Sequence, residues 1–187
     1  METSSNMSFI LRRFNPDTDI QKPFDCGDKN LNDFLLKTAG NRLNAFCHEK
    51  ELLSVTYVIE NAEEHSIVAY FSLLHDKIER DFADGAIWNR MSRRIPNAKR
   101  KSSYPALKIG RLAVRKSAQS AGIGTRIIQF VEAEYLENRK AGCRFITVDA
   151  LLSAEPFYRK CSFDVLVPPE SDDQTVLMFL DLKRIAG

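Results

Sequence analysis

Apolar and polar positions change period several times along this chain, and each change marks an element. Phe9 to Phe14 reads as a strand, and Asn15-Pro16-Asp17 and Lys22-Pro23 then carry turn chemistry. From Leu31 to Phe46 the spacing of Leu31, Phe34, Leu35, Thr38, Ala39, Arg42 and Phe46 is largely that of one helix face, with Asp28 or Asn30 as the cap and Gly40 as a point where it could split in two. Glu51 to Glu60 and Ser66 to Leu74 are rich in β-branched and aromatic residues, and the short polar link between them predicts a hairpin. From Lys77 to Tyr104 the pattern turns charged and irregular, which predicts an elaborated loop with one helix around Ala86 to Met91.

Pro105 to Val114 resumes as a strand. Leu107 and Ile109 share one parity and Leu112 and Val114 the other, so the register is expected to slip near Gly110-Arg111 through a β-bulge that frees backbone groups for a ligand. Ala121 to Arg139 is amphipathic, with Ile123, Ile127, Val131 and Tyr135 on one stripe and Ala141-Gly142 as a stop. Cys143 to Ala150 is a strand, Ala154 to Lys160 a short helix, and Phe163 to Val167 and Thr175 to Leu182 are two further strands. The order β, helices, β, β, loop, β, α, β, α, β, β predicts a mixed α/β fold around one central sheet.

Length and composition narrow this further. With 187 residues, 44% of them hydrophobic, the chain is expected to form a single domain over residues 1–187, without internal repeats or a Gly/Ser linker. Its 27 Lys and Arg against 25 Asp and Glu give +2, too little to argue for a polyanionic partner, so local clusters matter more. The longest apolar runs fall short of the roughly 20 residues a bilayer needs and the first residues lack a secretory core, so no membrane partner and a cytoplasmic location are expected. The four cysteines and three histidines show no metal-ligand spacing, and no metal site is expected.

The chemistry is concentrated in Gly110 to Thr125, where a strand passes through a small-residue turn into a helix. Gly122 and Gly124 allow close backbone approach, and the amides at the start of the following helix suit a pyrophosphate. A dinucleotide fingerprint would need GxGxxG and a later acid, and a P-loop would need GK followed by Ser or Thr; neither is present. What is present, Gln119-Ser120-Ala121-Gly122-Ile123-Gly124, resembles the Q/R-x-x-G-x-G/A acetyl-CoA signature of the GNAT acetyltransferase superfamily. Val148-Asp149-Ala150 and Ala154 to Phe163 are similar to that family's later A-x-x-F-Y-x-K-x-G-F element, with Ser162 where the family usually has glycine. The resemblance covers roughly Leu107 to Val167 and implies the GNAT acyl-CoA N-acyltransferase fold: an α/β, mixed and mostly antiparallel sheet flanked by helices.

It also implies a function: direct transfer of the acetyl group of acetyl-CoA, as co-substrate, to a primary amine. On that resemblance the backbone of Leu112, Ala113 and Val114 pairs with the pantetheine arm, and Gln119, Ser120, Ala121, Gly122, Ile123, Gly124 and Thr125 take the pyrophosphate. Tyr158 stands at the family's tyrosine position as the acid that protonates the leaving sulfur, its phenol protonated at neutral pH by its ordinary pKa near 10; core packing beside Phe157 is the alternative. Arg115 and Lys116 either assist the phosphates or are solvated loop charges. The base stays unassigned among His75, Asp149 and Glu155.

The stretch Phe24-Asp25-Cys26-Gly27-Asp28-Lys29-Asn30-Leu31-Asn32-Asp33-Phe34-Leu35, followed by Ala69-Tyr70-Phe71-Ser72-Leu73 and Gly110-Arg111-Leu112-Ala113-Val114, is similar to the GNAT branch that includes toxins acetylating aminoacyl-tRNA. That likeness makes a tRNA acceptor and an antitoxin partner alternatives to an unspecified amine acceptor, as is an acyl-CoA-binding regulator without transfer; a homodimer is a family-level expectation. The basic run from Arg90 to Lys101 could lie along an RNA backbone.

Overall fold

The computed structural model describes residues 8–36, 44–138 and 141–186, and these described residues form seven strands and six helices. The strands are β1 (Phe9–Arg13), β2 (Val55–Asn61), β3 (Ile67–Glu79), β4 (Ser103–Val114), β5 (Phe145–Leu151), β6 (Asp164–Val167) and β7 (Thr175–Asp181). The helices are α1 (Pro16–Asp19), α2 (Lys29–Leu36), α3 (Ala45–Lys50), α4 (Gly85–Ser92), α5 (Ile123–Glu137) and α6 (Glu155–Lys160). The strands run β1-β2-β3-β4-β5-β7-β6 in one sheet. Pairing is antiparallel for β1–β2, β2–β3, β5–β7 and β6–β7, and parallel for β4–β5, where Ala106 to Ile109 face Phe145 to Val148. This is the mixed α/β layout around one sheet expected from the pattern, and the mostly antiparallel pairing is what the resemblance implies.

The fold divides into two compact units, one formed by residues up to Leu74 with Gly110–Ile127, the other by His75–Ile109 with the residues from Ile128 on. In the first, Phe14, Phe24, Phe34, Leu35, Val58, Ile67, Tyr70 and Ala113 make the core. Tyr70 stacks on Phe34 at 6.0 Å and meets Phe24 edge-on at 5.5 Å, while its hydroxyl donates to the Leu31 carbonyl at 2.7 Å. Offset and edge-on ring pairs of this kind add to the area they bury, and the buried phenol has the partner it needs. In the second unit Trp88, Tyr104, Phe145 and Phe179 form a chain of rings spaced 5.8 to 6.1 Å apart, closed by Ile78, Met91, Ile95 and Leu166.

Several boundaries differ from the sequence pattern, each for a local reason. The expected helix over Leu31 to Phe46 is α2 and α3, and the split at Gly40 lies outside the described residues. Asp28, rather than Asn30, makes the capping bond, accepting from the Leu31 amide at 2.9 Å. The strand expected from Glu51 begins at Val55, because residues 51–54 close α3: the Leu53 amide returns to the His48 carbonyl at 2.8 Å and Leu52 takes a φ of +56°. Strand β3 runs five residues past Leu74, to Glu79. Its polar residues concealed that extension: Ile78 is buried, and Asp76 accepts from the Thr147 hydroxyl at 2.5 Å. In β4 the buried face does not change at Gly110-Arg111. Leu107, Ile109 and Ala113 are buried on one parity, and Leu112 and Val114 are half-buried on the other; small Ala113 keeps the face that the larger residues appeared to abandon.

A charged cluster ties β1 to β2 in the first unit. The Arg12 guanidinium contacts Asp19 at 2.6 Å and also bonds Glu60; Lys22 reaches Glu60 at 2.9 Å. Burial pushes the Glu60 carboxyl up, but hydrogen bonds from Lys22, Arg12 and His65 outweigh it and hold the group at about 2. For Asp19 burial likewise acts upward and is outweighed by bonds from Arg12 and the Asn15 amide, leaving the pKa lowered. Both groups therefore bind fewer protons folded than unfolded: their stabilisation is present above the unfolded value near 4.5 and is lost as pH falls toward 2. Melting temperature measured from pH 6 downward should fall through that window by about 4 °C or more. The Glu60→Gln variant should start lower at pH 6 and show a flatter acid limb.

Candidate active site

The turn between β4 and α5 begins with a 3-10 turn at Lys116–Ala118 and continues through Ser120 at φ +66° and Gly122 at φ +76°. Two left-handed residues around Ala121 reverse the chain, and Gly122 takes this conformation without the cost an L side chain carries. The Gly122 carbonyl then accepts from the Arg126 amide at 3.1 Å, which makes Gly122 the residue that starts α5. The amides of Ile123, Gly124 and Thr125 accordingly have no acceptor within the helix, and together with the positive helix end they form a cradle suited to an anion. Ser120, Ala121, Gly122 and Thr125 are exposed, Gly124 is half-buried, and Ile123 anchors the cradle in the core. Of the expected turn residues the first unit holds all, Gln119 to Thr125, together with Leu112, Ala113 and Val114 at the end of β4.

Gln119 has a different part from its neighbours. Its side-chain amide donates to the carbonyls of Cys26 at 2.9 Å and Val114 at 3.0 Å, so it fastens the end of β4 and the segment before α2 to the turn. That segment is itself a network. Asp25 accepts from the Gly27 amide at 2.8 Å and the Asn32 side chain at 2.9 Å, while Asn32 accepts from the Cys26 amide at 2.9 Å. The Lys116 amide donates to the Asp25 carbonyl at 2.9 Å, and the Lys116 ammonium lies 3.0 Å from its carboxylate. Hydrogen bonds from Lys116, Asn32 and Gly27 hold the Asp25 carboxyl at about 2. Gly27, at φ +98°, leaves room for the Lys116 stem, whose Cε would lie 2.9 Å from a Cβ there. The Arg115 guanidinium bonds the Ile67 carbonyl, and its amide donates to Val68 at 2.8 Å. The two cations weighed for phosphate contact are thus both engaged within the unit. Beside the turn a cleft of about 360 Å³ is lined by Phe9, Asn61, Val68, Arg115, Ala121 and Arg126, among others.

In the second unit Tyr158 sits on α6, 5% exposed, edge-on to Phe157 at 5.0 Å and Phe163 at 5.4 Å. Burial, and next the neighbouring Cys161 thiol, push its phenol above the ordinary value, so it stays protonated at neutral pH. Ser162, at the family's glycine position, holds a φ of +66°, a conformation glycine adopts without strain, and is exposed. Of the residues weighed as base, His75 is exposed, Asp149 pairs with Lys108 at 2.5 Å, and Glu155 with Arg159 at 2.7 Å. Among the described residues no group of His, Cys, Asp and Glu is placed to hold a metal, and no helix is long and apolar enough to cross a membrane.

A strand, a glycine-containing anion turn and a helix, followed by a buried tyrosine on a short helix, is the arrangement the motifs pointed to. Residues 94–179 match the family model of the acetyltransferase (GNAT) domain. The chain carries a GNAT acetyltransferase domain. The domain is that of an N-acetyltransferase, and the family's co-substrate is acetyl-CoA. The fold extends the likeness over nearly the whole chain. A tyrosine-to-phenylalanine mutant of KacT is similar at TM-score 0.72 and 24% identity, covering 95% of this chain and 96% of that one. A structure described as a bacterial toxin matches at 0.74 and 15%, with 96% and 93% covered. AtaT complexed with acetyl-methionyl-tRNAfMet matches at 0.70 and 23%, with 95% and 97% covered.

What the sequence motifs missed is the brace formed by Asp25 and Asn32. The signal was there in the segment Phe24 to Leu35, whose Asx residues around a glycine are typical of turns bonded by side chains. Gln119→Ala removes two bonds to backbone carbonyls and should lower the unfolding free energy by about 1–2 kcal/mol in urea titration. Ser162→Gly, relieving a left-handed serine with no buried contacts to lose, should raise it by about 0.5–1 kcal/mol.

Proposed function

We propose that this N-acetyltransferase acts on the α-amino group of an aminoacyl-tRNA, in the manner of a toxin held in check by an antitoxin, in the cytoplasm. The observation that carries the proposal is the end-to-end likeness in fold to AtaT complexed with acetyl-methionyl-tRNAfMet. The amino-terminal segment Phe24 to Leu35, outside the family-model match, supports it through its likeness to the same branch. The antitoxin rests on AtaT structures that hold the C-terminus of the antitoxin AtaR.

In the proposed reaction the uncharged amine attacks the thioester carbonyl, a carbon–nitrogen bond forms, and the carbon–sulfur bond breaks. The amine loses one proton to solvent or a base, and Tyr158 gives one to the departing thiolate. The first-turn amides of α5 and those of Ser120 to Gly122 take the pyrophosphate, the Leu112, Ala113 and Val114 backbone pairs with the pantetheine, and Gln119 acts by holding the turn. A protonated phenol suits the acid's part, and unpartnered amides at a helix start suit a pyrophosphate.

Calorimetric titration with acetyl-CoA should give micromolar binding that Gly122→Glu abolishes. With methionyl-tRNA as acceptor, Tyr158→Phe should lower kcat by about 10²–10⁴-fold and leave acetyl-CoA affinity unchanged. Acetylation of small amines but of no aminoacyl-tRNA would contradict the proposed acceptor. Binding without transfer to any amine would contradict catalysis and leave a regulator.

A further inference from the structure

The insertion between β3 and β4 concentrates charge that the whole-chain balance hides. Residues 80–101 hold seven Lys and Arg against two acids, a local +5 in a chain of +2, so the remainder is net negative. All seven cations, Arg80, Arg90, Arg93, Arg94, Lys99, Arg100 and Lys101, are exposed, and none forms an ion pair among the described residues.

The segment is built rather than loose. Its ends are pinned where the Arg80 amide donates to the Ser102 carbonyl at 2.9 Å. Trp88, Met91 and Ile95 bury one face of α4 and its exit in the core of the second unit. Arg90, Arg93 and Arg94 follow one another at the three- and four-residue spacing of helix neighbours. Their mutual repulsion is offset by the negative end of α4, at which they sit. The Arg100 Nε donates to the carbonyls of Ser92 and Ile95, both at 3.1 Å, which folds the second basic run back against the end of α4. The Lys101 amide donates to the buried Tyr104 hydroxyl at 2.8 Å, and Arg144, paired with buried Asp181, reaches the Arg94 carbonyl at 3.5 Å. Asp84 does not neutralise the group: it caps the opposite end of α4, accepting from the Ala86 and Ile87 amides, about 12 Å away along the axis.

We propose that this cationic surface on α4 and residues 93–101 docks the phosphate backbone of RNA. Five of the seven cations are arginines, whose planar fork matches phosphate oxygens. A bilayer is the poorer partner, because Trp88, Met91 and Ile95, the apolar face of α4 and its exit, are already buried in the core. The exposed ring of Phe82, in the same insertion, suits stacking on an unpaired base. The surface deepens the proposed function by naming where the acceptor's backbone is held, and it rests on that reading for the identity of the RNA.

The test uses the full chain, fluorescently labelled deacylated tRNA, and two charge-reversed variants. One is Arg93→Glu/Arg94→Glu/Lys99→Glu; the control is Arg13→Glu/Lys50→Glu, exposed cations of the other unit. The patch variant should bind tRNA at least about tenfold more weakly and lose roughly two to three from the slope of log K against log salt, whereas the control keeps most of both. Acetyl-CoA binding by calorimetry, unchanged in both variants, shows that each is folded. If the patch variant binds and is acetylation-competent on methionyl-tRNA with an unchanged KM, the docking surface is refuted while the acceptor stands. If tRNA binding depends on the patch but no aminoacyl-tRNA is acetylated, the surface stands and the acceptor fails. No tRNA binding by the natural sequence overturns both.

Discussion

The left-handed turn at Ser120 to Gly122 is the constraint on which the proposed chemistry of the first unit depends. Left-handed residues on either side of Ala121 turn the chain into α5, and the side chain of Gln119 ties that turn to the end of β4 and to Cys26. A turn held only by its own backbone would present those amides in many orientations, and each would have to be ordered when an anion bound. Here much of the ordering is done beforehand by Asp25, Asn32 and Lys116, residues far apart in sequence that meet through short bonds at the protein surface.

That arrangement separates two tasks. Exposed ion pairs such as Lys116 with Asp25 contribute little to overall stability. Their value lies in geometry, since the Lys116 and Gln119 bonds to backbone carbonyls set the path of the chain rather than filling a core. In the second unit the division is similar: rings around Tyr158 and Phe145 supply packing, while Tyr158 also carries a protonated phenol with no hydrogen-bond partner among the described residues. The packing is observed and the acid's part is proposed, and one side chain carries both.

Much of this was legible in the residues. The left-handed turn ahead of α5 could be read from the spacing of Gly122 and Gly124, and α5 and β5 from their unbroken periods. What could not be read depended on contacts between distant residues or on small ones. Ala113 keeps the buried face of β4 without adding to its hydrophobic pattern. Strand β3 continues through His75, Asp76 and Lys77 because Ile78 and the Asp76–Thr147 bond hold it in place. The brace on the turn needs residues 25–32 and 115–119 together, and only folding joins them.

Amide hydrogen exchange followed by NMR, with and without coenzyme A, tests the central claim that a braced turn presents its amides to the pyrophosphate. Strong added protection is expected at Gly122 to Thr125 on binding. Asn32→Ala should speed exchange across that turn in the free protein and weaken coenzyme A binding several-fold without unfolding the domain. Protection that falls elsewhere, or an Asn32→Ala protein whose turn exchanges and binds as before, would contradict it.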